Sequence, residues 1–177
     1  MNSYKKTSLL LLIIISALHG YSQKFSVSFM PAASNESFSG QVLLYLSKDS
    51  RSPKDEMVGV EKFPCFSITV YNIKPNDKVV FDDNAVSYPV KLSDIERGEY
   101  NAQVVWDKNG GGRSIGNSSG NMYNDAIAVQ LTKNTNTIFN IACNNVIKEK
   151  SFVETQFVKE MKAPSALLTA SYKEQQP

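Results

Sequence analysis

The chain has 177 residues with 19 Lys and Arg, 17 Asp and Glu and one His, a formal net charge of +2, which leaves room for one domain with a sizeable core and too little for two ordinary ones. Lys5, Lys6 and the single histidine, His19, all fall within the first 22 residues; without them the chain is formally neutral and lacks the basic patch that nucleic acid or an anionic membrane surface requires. It then also has no imidazole, which excludes His-dependent base and triad chemistry and, with only two distant cysteines, a structural zinc site.

Residues 1–22 have the order of a secretory signal peptide: Lys5 and Lys6, an unbroken apolar run over 9–15, then the small residues Gly20 and Ser22 two positions apart. The run is about half the length of a bilayer-spanning helix. Cleavage after Ser22 and a periplasmic or secreted protein with no membrane span are therefore expected. Strand signals follow. Phe25, Val27 and Phe29 alternate with Ser26 and Ser28, a period of two that puts the apolar side chains on one face. Similar runs cover residues 41–46, 66–71, 78–81, 99–106, 126–131 and 137–143, each bounded by turn chemistry such as Pro75, Asn76 and Asp77 or Arg97 and Gly98. Residues 92–96 hold one helical turn at most. About seven short strands without a long helical pattern predict an all-β fold, an antiparallel two-sheet, immunoglobulin-like β-sandwich over residues 23–145.

Between the strands, Gly116, Ser118 and Gly120 fit the G-x-S-x-G pattern of a hydrolase nucleophile elbow. That elbow needs a strand before it, a helix after it and a later histidine. Here a glycine-rich loop precedes, residues 122–131 read as a strand, and no histidine follows, so no catalytic residue is assigned. Asp107, Lys108 and Asn109 resemble the start of a calcium loop, but Gly111 and Ser118 stand where an oxygen ligand and a bidentate glutamate are needed. No metal and no other cofactor is expected. The carboxylate pairs Asp55 with Glu56 and Asp82 with Asp83 read as solvated turn charges, since adjacent strand residues point to opposite faces.

Tyr100, Trp106 and Tyr123 flank the loop at residues 109–121 and form the candidate ligand-binding platform, suited to a sugar ring. Tyr100 and Trp106 are six apart and share one strand face, which is equally a core face. Cys65 and Cys143 would meet an oxidising compartment after export, either as a disulfide or as two buried strand thiols. Residues 146–177 are more charged, with Phe152, Phe157, Val158, Leu167 and Leu168 scattered through them. They read as a connector or edge-strand extension whose apolar side chains are shared with a further domain.

Several segments carry a family resemblance: residues 25–29, GQVLLYLS at 40–47, SYPVKLSDIERGEYNAQVV at 87–105, GNMY at 120–123 and FVKEMKAPSALL at 157–168. In this order they resemble the N-terminal β domain of secreted esterase-like proteins of the Bacteroidetes group, relatives of the enterochelin-esterase-like α/β-hydrolases. The family has a longer insertion between the equivalents of Trp106 and Gly120, and its hydrolase domain would begin after the equivalent of Pro177. None of its catalytic residues therefore carries over. The resemblance implies an exported, non-catalytic accessory domain whose partner is a hydrolase domain. The alternative is a free-standing envelope module that binds a glycan or a protein.

Overall fold

A computed structural model of the chain describes residues 23–49, 52–55, 63–108, 115–132, 136–149 and 153–159. The predicted signal peptide lies outside them. Strand β1 (Lys24–Phe29) buries Phe25, Val27 and Phe29 completely and turns Lys24, Ser26 and Ser28 the other way, as its period of two requires. It is the centre of a three-stranded sheet, between β4 (Val79–Phe81) and β9 (Ile138–Cys143). The facing seven-stranded sheet runs from β5 (Val86–Tyr88) through β3 (Cys65–Ile73), β2 (Phe38–Ser47), β6 (Gly98–Asp107) and β7 (Met122–Tyr123) to β10 (Asn145–Val146), with β8 (Ile127–Leu131) also paired to β6. The fold is an all-β sandwich.

The seven expected strands are all present, with three differences. First, β1 and β9 pair in parallel, Phe25 beside Phe139 and Val27 beside Ile141, so the sandwich is not purely antiparallel. Parallel neighbours need a long crossover, and most of the chain between them, laid into the other sheet, provides it. Second, β5, β7 and β10 are only two or three residues long, too short for any alternation to show. Third, the run at 122–131 is broken into β7 and β8 because Asn124 turns inward, its Oδ1 accepting from the Val104 amide at 2.6 Å.

Between the sheets, Trp106 meets Phe29 and Phe38 edge-on at ring distances of 5.0 and 5.1 Å, the orientation that the aromatic quadrupole favours. Phe66, Phe81, Leu44, Leu46 and Cys143 complete the same core. A second, smaller cluster lies on the outer side of the large sheet. Leu43, Tyr45 and Val105 are buried there with Phe63, with Ile115 and Tyr123 packed against them. The central pair β2 and β6 is therefore covered on both faces. That explains the unbroken apolar runs Val42–Leu46 and Val104–Trp106, which a half-exposed strand would interrupt with polar residues.

One glycine fixes the corner where this pair begins. At Gly40, φ is +154° and the β2–β3 register shifts, and a Cβ there would stand 2.4 Å from the Asp107 carbonyl oxygen. Among the described residues no helix is long and apolar enough to cross a membrane.

Candidate functional site

The three candidate aromatics do not form a platform. Trp106 is 0% exposed and Tyr100 is buried in the same inter-sheet core, near the other end of β6. Tyr123 sits opposite Val105 in the register, one step out of phase with Trp106, and so lies on the other face of the large sheet. Tyr100 and Trp106 share a strand face but stand six residues, about 20 Å, apart along it, and the small sheet lies across that face. The assignment of Trp106, Tyr100 and Tyr123 to one ligand-binding platform is corrected accordingly. Trp106 is a core residue, Tyr100 is a buried residue that also reaches the wall of a cleft beyond the end of β2, and the half-buried Tyr123 ring is capped by Lys54, whose Nζ stands 5.1 Å above its centre.

The cysteines are also separated. Both are free thiols, Cys143 deep in the inter-sheet core and Cys65 packed against the outer cluster. The candidate disulfide is not formed, because β3 directs Cys65 away from the face on which Cys143 lies. Burial pushes each thiol up to about 12. For Cys143 the Trp106 indole pulls slightly the other way, a contact too loose to count as a full hydrogen bond for the buried Nε1–H.

The glycine–serine pattern folds as a clasp. Residues Ile115–Asn117 make one 3-10 turn, and a Cβ on Gly116 would lie 1.8 Å from the Lys54 carbonyl oxygen. Glycine is required there by close approach of two backbones. No helix follows; β7 does. Asn121, fully buried, donates through Nδ2 to Asp107 Oδ1 and to the Ile115 carbonyl, both at 2.9 Å, while its Oδ1 accepts from the Lys108 amide at 3.0 Å.

Gln103 does the same for the other covering loop. Its Oε1 accepts from Ser52 Oγ and from the Lys54 amide, each at 2.9 Å, and its Nε2 donates to the Asn124 carbonyl at 2.8 Å. Lys54 closes the clasp by donating to Asp55 at 2.6 Å and to the Gly116 carbonyl at 3.2 Å. A buried amide is tolerated only when its donors and acceptors are met, and here they are met by the loops that cover Leu43 and Tyr45. Sequence reasoning missed these residues. The available signal was Gln103 and Asp107, polar side chains that flank the apolar run Val104–Trp106.

The remaining sequence candidates have turn roles. Asp82 Oδ1 accepts from the Asn84 amide and Asp83 Oδ1 from the Ser93 amide, both at 2.9 Å, and Glu56 lies outside the described residues. Among the described residues no group of three or more His, Cys, Asp and Glu stands together to hold a metal ion.

An accessible concavity lies elsewhere, a cleft of 540 Å³ beyond the end of β2. Leu46, Phe63, Pro64, Pro89, Val90 and Ile95 line it with apolar surface, and Lys48, Asp49, Asp94 and Glu96 supply charge. Its size falls within the range of small-ligand sites. Lys48 donates to Glu96 at 2.9 Å and lies 5.4 Å from the centre of the Tyr100 ring, whose hydroxyl donates to the Glu96 carbonyl at 3.0 Å. The hydrogen bond raises the Lys48 pKa and lowers that of Glu96. The charges are fully solvated, so the pair orients the cleft wall and adds little to stability. The chain matches no protein-family model, no curated protein and no solved structure.

Proposed function

We propose that this chain is an exported, non-catalytic β-sandwich domain with an accessory role, the N-terminal part of a protein like the secreted esterase-like proteins it resembles. The observation that carries this reading lies after β10. Val153, Phe157 and Val158 are 76%, 85% and 53% exposed there, left uncovered by the sandwich. An uncovered apolar set on a segment that leaves a domain suits an interface shared with a second domain. Phe152, Leu167 and Leu168, assigned the same role, lie outside the described residues. The test is to mix the chain with an α/β-hydrolase domain of the resembled family and follow amide exchange. Exchange at residues 153–159 should slow in the mixture, and Phe157→Asp should abolish the effect. Unchanged exchange in the mixture would count against the accessory role.

The chain alone is expected to hydrolyse no short acyl esters. Ester hydrolysis that vanished on Ser118→Ala would overturn the non-catalytic assignment. The second reading, a free-standing envelope module for a glycan or a protein, is favoured by the cleft beside Lys48 and Glu96. In that reading the ligand meets the cleft rather than the clasped loop, and Val90→Asp should weaken binding while Ser118→Ala should not.

A further inference from the structure

Strand β9 has β1 on one side and, among the described residues, no neighbour on the other. The Lys24 amide donates to the Thr137 carbonyl at 3.0 Å and the Met30 amide to the Cys143 carbonyl at 2.8 Å. In a parallel ladder the bonding groups alternate along the strand. Residues 137, 139, 141 and 143 therefore bond toward β1, and the N–H and C=O groups of Ile138, Asn140 and Ala142 point out from the open edge. Among the described residues the devices that usually protect an edge are missing from this one. From Asn136 to Ile147 the sequence holds no charge, no proline and no glycine, whereas edge β4 is three residues long between Lys78 and Asp82, and edge β5, also three, runs into Pro89. A six-residue uncharged edge carrying two isoleucines and a phenylalanine is a template for another strand. Ile138 is 57% exposed and Phe139 only partly buried along it.

We infer that a second copy of this chain covers this edge, through antiparallel pairing of β9 with its own equivalent about a two-fold axis at Asn140. The strand is complementary to itself in that register. Ile138 of one copy lies opposite Ala142 of the other, large against small, and Asn140 faces Asn140, amide against amide. On the core side Phe139 meets Ile141, so the two inter-sheet cores run into one another. No like charges oppose, and each residue's partner is reciprocated, as a closed two-fold interface demands. The pairing adds about six backbone hydrogen bonds and turns two three-stranded sheets into one of six. It is independent of the accessory role proposed above.

Sedimentation velocity of the purified protein across the micromolar range tests this. The mass should rise with concentration from one copy to two and stop there. Asn140→Pro removes an N–H that points away from β1, and Ile138→Lys puts a charge at the edge. Each should weaken self-association by roughly tenfold or more, with near-UV circular dichroism and the melting temperature of the dilute protein unchanged. A mass of one copy at every concentration would overturn the inference. So would a dimer that survives both substitutions, or growth past two copies, which a closed two-fold forbids.

Discussion

Trp106→Ala separates a core role for this residue from a ligand-platform role. The indole is fully buried and makes edge-on contacts with Phe29 and Phe38. Truncating a buried Trp costs about 3 to 5 kcal/mol, a range that includes the loss of edge-on pairs worth roughly 0.5 to 1.5 kcal/mol each. With two such pairs broken, the upper part of the range is expected, about 4 to 5 kcal/mol. For a domain whose total stability is about 5 to 15 kcal/mol, that is about a quarter or more of the whole. Trp106→Phe keeps a ring against Phe29 and Phe38 and should cost only about 1 to 2 kcal/mol.

Because Trp106 is the one tryptophan of the chain, its emission in the wild type reads its environment directly. It should be blue-shifted and resist acrylamide quenching until the protein unfolds. The variants are followed by far-UV circular dichroism in urea. A loss below about 1 kcal/mol for Trp106→Ala, well under the buried-Trp range, would refute the placement of the ring between the sheets, as would a wild-type emission quenched as readily as free indole.

Three further outcomes are expected. Gln103→Leu strands the Lys54 amide and the Asn124 carbonyl and should cost about 2 to 3 kcal/mol in urea denaturation, with faster proteolysis near residues 52–55 than in β6. Gly116→Ala drives a Cβ into the Lys54 carbonyl and should open the clasp, seen as faster amide exchange at residues 115–121 with the β1–β9 amides still slow. Cys65 and Cys143 should resist alkylation at pH 8 until the protein unfolds, because burial raises both from 9.0 to about 12. Since the unfolded thiols ionise first, their contribution is complete below pH 9 and falls away between 9 and 12; native alkylation as fast as in urea would contradict their burial.

How much of this was legible depends on the range of the interaction concerned. Alternation in residues 25–29, 66–71 and 137–143 located strands, because a side chain's face follows from the two-residue period of its own strand. The same period told that Tyr100 and Trp106 share a face. It could not tell that the face is a core, since that depends on β1 lying across the sandwich from β6. The clasp was illegible for a related reason: Gln103 and Asn121 are polar in composition, and only the arrival of Ser52, Lys54 and Ile115 from distant loops gives their amides partners and lets them be buried.

The sequence by itself located seven of the strands and their turns, and showed that the single histidine and the excess of positive charge both lie within residues 1–22, all of which are local or additive properties. Only the tertiary structure decided which strands are neighbours, that β1 and β9 run parallel, that β2 and β6 are buried on both faces, and that the two thiols stand on opposite sides of a sheet. Each of those is a choice among partners far apart in the chain, made by burying the most apolar surface while leaving every buried amide a partner.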